Sequence, residues 1–176
     1  IIAKSSNIGT VMAADEFERG QMYSYLRAFG LGRPTGIGLG ADSPGILPTP
    51  DVMTSQMADR IAFGQSLSVG AVQMAAAVNT IANGGVRIDP SLVRGTATLD
   101  DGTEVGSEVA TARRVVSEDA AHKTMQMMEQ VIKPGVGVAP GAAVPGYRVA
   151  GKTGTAQRVV TRDGVGIYDG SFTVSF

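Results

Sequence analysis

Two short runs at opposite ends of the chain carry residue types from which chemistry can be built. One is Gly146-Tyr147-Arg148-Val149-Ala150-Gly151-Lys152-Thr153-Gly154-Thr155, and the other is Lys4-Ser5-Ser6-Asn7. The first satisfies G-x-x-x-x-G-K-S/T, the loop with which many enzymes cradle nucleotide phosphates. Its surroundings do not suit that use. A phosphate loop follows a buried apolar strand, is built of small residues, and opens a helix whose N-terminus faces the anion. Here the preceding "GVGVAPGAAVPG" is too rich in Pro and Gly for a central strand. Tyr147, Arg148 and Val149 crowd the place where backbone amides would converge. Downstream, Gly154, Thr155, Val159, Val160 and Thr161 favour a strand over a helix.

Read as a strand, the segment puts Lys152 and Gly154 on one face and Thr153 and Thr155 on the other. Glycine weakens a strand unless something must approach the backbone closely. A lysine and two hydroxyls around that gap make a receptor for an extended, carboxylate-bearing peptide, which would add to the strand edge while the cation and hydroxyls hold its charge. The backbone N–H just past the glycine is placed to form half of an oxyanion hole. The S-x-N triplet Ser5-Ser6-Asn7, taken alone, reads as a helix cap or a turn.

Composition narrows the chemistry. The 176 residues contain no cysteine and one histidine, His122. Thiol nucleophiles, disulfides and Cys-ligated zinc are excluded, and a Ser-His-Asp triad or a His-based metal site has too few histidines. Any acyl-transfer chemistry needs another base, and lysine is the natural candidate because burial lowers its pKa. A net charge of −1 gives no basic surface for nucleic acid. No stretch approaches the roughly 20 apolar residues that span a bilayer, and none of these residues is expected to act as a signal peptide.

The elements that must position these residues are legible in outline. Ile1 to Phe29 is mostly helical in pattern, with Phe17, Met22, Tyr25, Leu26 and Phe29 as its apolar residues and Gly30 and Gly32 as its stop. "GLGRPTGIGLGADSPGILPTPD" is an ordered loop or a pair of short strands. Residues 51 to 64 form a helix or turn. A core helix follows with Ser68 as N-cap, an apolar stripe of Ala71, Met74, Val78 and Ile81, and a left-handed stop at Asn83-Gly84-Gly85. The preceding Gln65-Ser66-Leu67-Ser68 is available to line a site. "PSLVRGTATLDDGTEVG" reads as two strands joined at Asp100-Asp101-Gly102, and "ARRVVS" as a short strand. Ser117 caps a further helix, Glu118 and Asp119 occupy its positive first turn, and Pro134-Gly135 closes it. Its Met/Gln run is expected to pack on a sheet, with His122 at the surface. From Val144 onward the chain reads as a β-hairpin. Helices followed by terminal strands predict an α+β fold, with helices packed on an antiparallel sheet.

Taken together, S-x-N and K-T-G-T resemble the second and third active-site motifs of the penicillin-recognising serine acyltransferases, the penicillin-binding proteins and serine β-lactamases. The blocks "KSSNIGT", "FGLGRPTGIGLGADSPGILP", "IAFGQSLSVGAVQMAAAVNTIANGG" and "PGYRVAGKTGTAQ" resemble the class B, monofunctional transpeptidase branch, particularly its cell-division-type members. They run through nearly the whole chain.

The resemblance implies a peptidoglycan D,D-transpeptidase of the bacterial cell wall that cross-links stem peptides through an acyl-serine intermediate and binds β-lactams. It implies no cofactor. Ser5 would be the hydroxyl of the proton relay, and Asn7 would hydrogen-bond the substrate amide and the lysine of the nucleophile's S-x-x-K motif. Lys152 would raise the positive potential and support proton transfer through Ser5. Thr153 and Thr155 would hold the substrate or β-lactam carboxylate, the Thr155 N–H would enter the oxyanion hole, and Gly154 would leave room for the ligand. The implied partners are D-Ala-D-Ala stem peptides, β-lactams, and membrane-bound division or glycan-polymerising proteins. The implied location is the extracytoplasmic face of the cell membrane, held by an anchor outside this chain.

One motif of the pattern is missing, since no serine here is followed three residues later by lysine. Residues 1–176 are therefore expected to form the C-terminal part of one incomplete transpeptidase domain, with the nucleophile upstream, and to be inactive alone. A D,D-carboxypeptidase or β-lactamase relative is the alternative within the enzymes. A non-catalytic penicillin-binding sensor or scaffold is the alternative outside them.

Overall fold

The computed structural model describes residues 1–38, 42–162 and 165–175, with side chains as far as Thr155. The chain divides into two compact units, one of residues 1–16, 53–66 and 125–176 and the other of residues 17–52 and 67–124.

In the first unit a 3-10 turn, Ile2–Lys4, leads directly into helix α1, Asn7–Ala14. The single helical run expected from Ile1 to Phe29 is broken. α1 ends at Ala14, and helix α2, Gln21–Ala28, begins only after Gly20 at φ 80°, a left-handed residue that cannot continue a right-handed helix. α1 packs against α3, Ser55–Ala62. The Thr54 hydroxyl caps α3 by accepting from the Met57 amide at 3.2 Å. Gly64 at φ 92° ends it, with Gly64 N donating to Ile61 O and Gln65 N to Arg60 O, the paired bonds of a Schellman stop.

This unit also holds the C-terminal half of α5, Glu118–Ile132, where Val131 and Ile132 are buried. From there the chain passes a 3-10 turn at Pro140–Ala142 to strand β5, Thr153–Arg162, which pairs antiparallel with β6, Val165–Ser175. The terminal hairpin was legible in the β-branched pattern, although the strand starts at Thr153 and leaves Lys152 just before it. In the Met/Gln run of α5, Met125 and Met128 are partly buried while Met127 is 46% exposed.

In the second unit, α2 ends at Gly30, φ 99°, with Leu31 N donating to Leu26 O and Gly30 N to Arg27 O. Two arginines seal that end. Strands β1, Val86–Ile88, and β4, Ala112–Arg114, pair antiparallel with Arg87 directly opposite Arg113. Like charges so placed repel, but both guanidiniums turn to the negative end of α2, Arg87 Nε donating to Phe29 O at 3.1 Å and Arg113 Nη2 to Ala28 O. Asp89 pairs with Arg87 and supplies a counter-charge. β1 had no sequence signal, because three residues with a buried arginine in the middle show no apolar alternation.

Helix α4, Ala71–Ala82, packs on β1 and is capped at Gly70 rather than Ser68. Ser68 instead exchanges two backbone hydrogen bonds with Ile46, at 2.8 and 2.9 Å, so its backbone is extended. Gln73, 1% exposed, organises this region. Its Oε1 accepts from Gly70 N at 2.7 Å while its Nε2 donates to Arg33 O at 2.6 Å and Pro44 O at 3.0 Å. The expected stop at Asn83-Gly84-Gly85 forms, with both glycines at positive φ. Strands β2, Ala97–Thr98, and β3, Glu104–Val105, pair antiparallel across the expected turn. The Ser117 hydroxyl accepts from the Ala120 amide and caps α5, where His122 is exposed. The α+β class holds, and the described strands form three two-stranded antiparallel ladders. Among the described residues no helix is long and apolar enough to cross a membrane.

Candidate active site

The site is built where the two chemistry-bearing runs meet within the first unit. Lys152 Nζ donates to Ser5 Oγ at 2.7 Å, a contact between residues 147 positions apart, and to Thr153 O at 2.8 Å. Among the described residues two of the three ammonium N–H bonds are thereby used. Lys152 is half-buried, and among the described residues it has no acidic partner. Burial draws its ammonium below the ordinary lysine range, since the charged form loses solvation without a counter-ion. A lysine so placed gives up its proton more readily than one in water.

Local structure explains how Ser5 comes to face it. Ser5 N donates to Ile2 O and Ser6 N to Ile1 O, each at 3.2 Å. These are the two bonds of a Schellman turn, whose left-handed position glycine usually fills. Ser5 fills it here, at φ 50° and ψ 46°, with the crowding a Cβ brings in that region. The next residue begins α1, for Ser6 Oγ accepts from the Gly9 amide at 3.1 Å. Asn7 is then the first residue of that helix and is exposed, and its side chain makes no hydrogen bond among the described residues. The cap reading of the S-x-N triplet holds, and the triplet also meets the lysine. Ser6 is a helix cap, and the neighbouring Ser5 reaches the lysine.

The other predicted residues follow Lys152 along the chain. Thr153, Gly154 and Thr155 open β5, opposite Ser175, Val174 and Thr173, with Gly154 and Thr155 exposed. The segment before Lys152 is tied to α5. Gly151 N donates to Met128 O at 3.4 Å, and Arg148 pairs with Glu129 at 2.6 Å. An amide committed to a helix carbonyl, and a strand where a helix would have to start, leave the phosphate-loop reading without its donors. A cleft of about 260 Å³ between α5 and this segment is lined by Glu129, Lys133, Tyr147 and Arg148 among others, and includes none of the predicted site residues. Among the described residues Gln65 and Ser66 make no side-chain hydrogen bond to Ser5 or Lys152. Among the described residues no group of His, Asp and Glu gathers to hold a metal.

The role of Ser6 was not read from the sequence as part of the site. The cap signal was present, but nothing in the sequence tied it to the lysine.

Comparison with known proteins gives this geometry a family. The model of the penicillin binding protein transpeptidase domain matches residues 1–175. The chain is 39% identical to penicillin-binding protein PbpB of Mycolicibacterium smegmatis, over 100% of this chain and 28% of that protein. It is 31% identical to peptidoglycan D,D-transpeptidase FtsI of Escherichia coli K12, over 90% of this chain and 25% of that protein. It thus spans about a quarter of the length of the curated relatives it matches. The crystal structure of penicillin binding protein 3 from Mycobacterium tuberculosis in complex with aztreonam superposes with a TM-score of 0.83 at 36% identity, over 96% of this chain and 38% of that one. Match of the family model along nearly the whole chain, and the same fold at that identity, place this protein in the penicillin binding protein transpeptidase domain family, in its PbpB/FtsI-type class B branch.

Proposed function

We propose that this chain is the C-terminal part of the transpeptidase domain of a peptidoglycan D,D-transpeptidase, and that it carries two of the three motifs of an acyl-serine site. The observation that carries the reading is the 2.7 Å contact between Lys152 Nζ and Ser5 Oγ, with K-T-G-T continuing into an exposed strand start. The nucleophilic serine, with its S-x-x-K lysine, belongs to sequence outside these residues. It attacks the carbonyl of the penultimate D-Ala of a stem peptide, the C–N bond to the terminal D-Ala breaks, and an acyl-serine forms. The amine of a neighbouring stem then displaces the serine, making the cross-link.

In this scheme Ser5 and Lys152 move the proton. The nucleophile's proton passes through the Ser5 hydroxyl to the departing amine, with Lys152 hydrogen-bonded to that hydroxyl. Thr153 and Thr155 receive the terminal carboxylate, whose charge Lys152 also attracts. Gly154 lets the peptide lie against the strand, the Thr155 N–H stabilises the developing oxyanion, and Asn7 binds the peptide's amide. A β-lactam occupies the same positions as the stem peptide and stops at the acyl-enzyme. The partners are D-Ala-D-Ala stem peptides and the membrane-bound proteins of division or glycan polymerisation, and the domain works on the extracytoplasmic face of the membrane.

The test is covalent labelling of the full-length protein with a fluorescent penicillin. Labelling is expected, and Lys152→Ala is expected to slow it by about 100-fold or more, the usual scale of proton-transfer catalysis. Labelling at the parent rate in Lys152→Ala would sink the assignment. A full-length protein that folds yet takes no label would make it a sensor or scaffold.

A further inference from the structure

The proposed reaction uses the first and third residues of Ser5-Ser6-Asn7 and leaves the middle serine without a task. We infer that Ser6 is the positioning residue of this site, holding the Ser5 hydroxyl within reach of Lys152 by closing one turn and opening the next. The inference rests on the acyl-transfer reading of Ser5 and Lys152 given above.

Ser6 makes bonds in both directions. Its backbone N–H donates to Ile1 O and completes the turn in which Ser5 is left-handed. Its Oγ accepts from Gly9 N at 3.1 Å, and its carbonyl accepts from Thr10 N at 3.0 Å and Thr10 Oγ1 at 2.9 Å. The turn lies close against the first turn of α1 at Gly9. A Cβ on Gly9 would lie 2.8 Å from Ile1 Cγ1 and 3.3 Å from Ser6 Oγ. A non-glycine residue stays left-handed only where its surroundings over-determine it, and for Ser5 those surroundings are the two turn bonds and the capped helix that follows. Without the Ser6 hydroxyl the Gly9 amide loses its acceptor and the first turn of α1 loosens. Ser5 can then relax toward negative φ, a rotation of the order of 100°, which swings Oγ off the lysine. Serine rather than glycine at that strained position is itself informative, because the backbone would be better served by glycine and only the hydroxyl justifies the side chain.

The test compares acylation of the full-length protein and its variants by a chromogenic or fluorescent β-lactam, resolving the initial binding constant from the acylation rate, with melting followed in parallel. Ser6→Ala should slow the acylation step about tenfold, the rate equivalent of a lost N-cap, with initial binding little changed. Ser6→Asn, whose carbonyl can take the Gly9 amide, should recover the rate to within about twofold. Ser6→Gly, which caps a helix at little cost in stability, serves if Ser6→Ala does not fold. Slowed acylation with parent-like melting supports the inference there, and a parent-like rate overturns it. Ser6→Ala acylating at the parent rate, or Ser6→Asn as slow as Ser6→Ala, would also overturn it. Lys152→Ala is measured alongside. A parent-like rate in that variant removes the acyl-transfer reading itself, whereas its failure beside an unaffected Ser6→Ala overturns the positioning role alone.

Discussion

Replacing Ser5 by glycine and by alanine separates what this residue does for the fold from what it does for chemistry. Both changes remove the hydroxyl and its contact with Lys152, so they differ only in the backbone. At φ 50° and ψ 46° a residue with a Cβ carries a penalty of about 1–2 kcal/mol that glycine escapes. Glycine loses about 0.5–1 kcal/mol more conformational entropy on folding. The balance makes Ser5→Gly more stable than Ser5→Ala by about 0.5–1 kcal/mol, the reverse of the usual order for the two residues. In a domain of roughly 150–250 residues this corresponds to a difference of about 1–4 °C in Tm. Acylation should respond quite differently, falling in both variants by the same factor of about 100 or more if the hydroxyl carries the proton. Calorimetry and β-lactam labelling of the same preparations read the two effects. A Ser5→Ala variant as stable as Ser5→Gly would refute the strain argument, and either variant acylating within a few-fold of the parent would refute the role of the hydroxyl.

Three further outcomes follow from the geometry. The Lys152 pKa is lowered by burial, so between its folded value and the ordinary value of 10.5 the unfolded chain binds more protons than the folded one. Stability should therefore rise with pH across that window, and Lys152→Met should abolish this part of the rise in urea melts taken at pH 7 to 10.5. Gly30→Ala places a Cβ within 2.6–2.9 Å of the Arg87 guanidinium at a left-handed φ of 99°. It should cost about 2–4 kcal/mol by strain and by loosening the Arg87 bond to Phe29 O, and denaturant unfolding that shows no loss would contradict the arginine seal on α2. Gln73→Leu leaves Gly70 N, Arg33 O and Pro44 O without their partner. It should destabilise by about 2–4 kcal/mol and speed amide exchange at Gly70, and exchange at the parent rate would show that the glutamine does not hold this loop.

Local rules made several elements legible. The cap at Ser117, the Asn83-Gly84-Gly85 stop, the turn at Asp100-Asp101-Gly102 and the terminal hairpin each depend on residues a few positions apart, so the sequence contains their whole cause. The longer helical expectation from Ile1 to Phe29 failed because apolar spacing continues through Gly20, while the backbone there is left-handed. Ser68 looked like a cap by residue type, but its N–H and C=O are taken by Ile46. β1 escaped notice because its central residue is an arginine, buried only because α2 brings carbonyl oxygens to it.

The same division runs through the site. Sequence by itself determined which groups are present: a lysine before a glycine-containing strand, two threonines beside it, an S-x-N triplet, and neither cysteine nor the histidines needed for other acyl-transfer machinery. These follow from residue identity and spacing of a few positions. Only the tertiary structure decided that Ser5 meets Lys152 at 2.7 Å, that Lys152 is half-buried without an acidic partner among the described residues, and that Ser5 is held left-handed by the turn Ser6 closes. The physical reason is that a hydrogen bond across 147 positions, and the desolvation that lowers a lysine pKa, depend on how separated segments pack. Neither term is present in any short window of the chain.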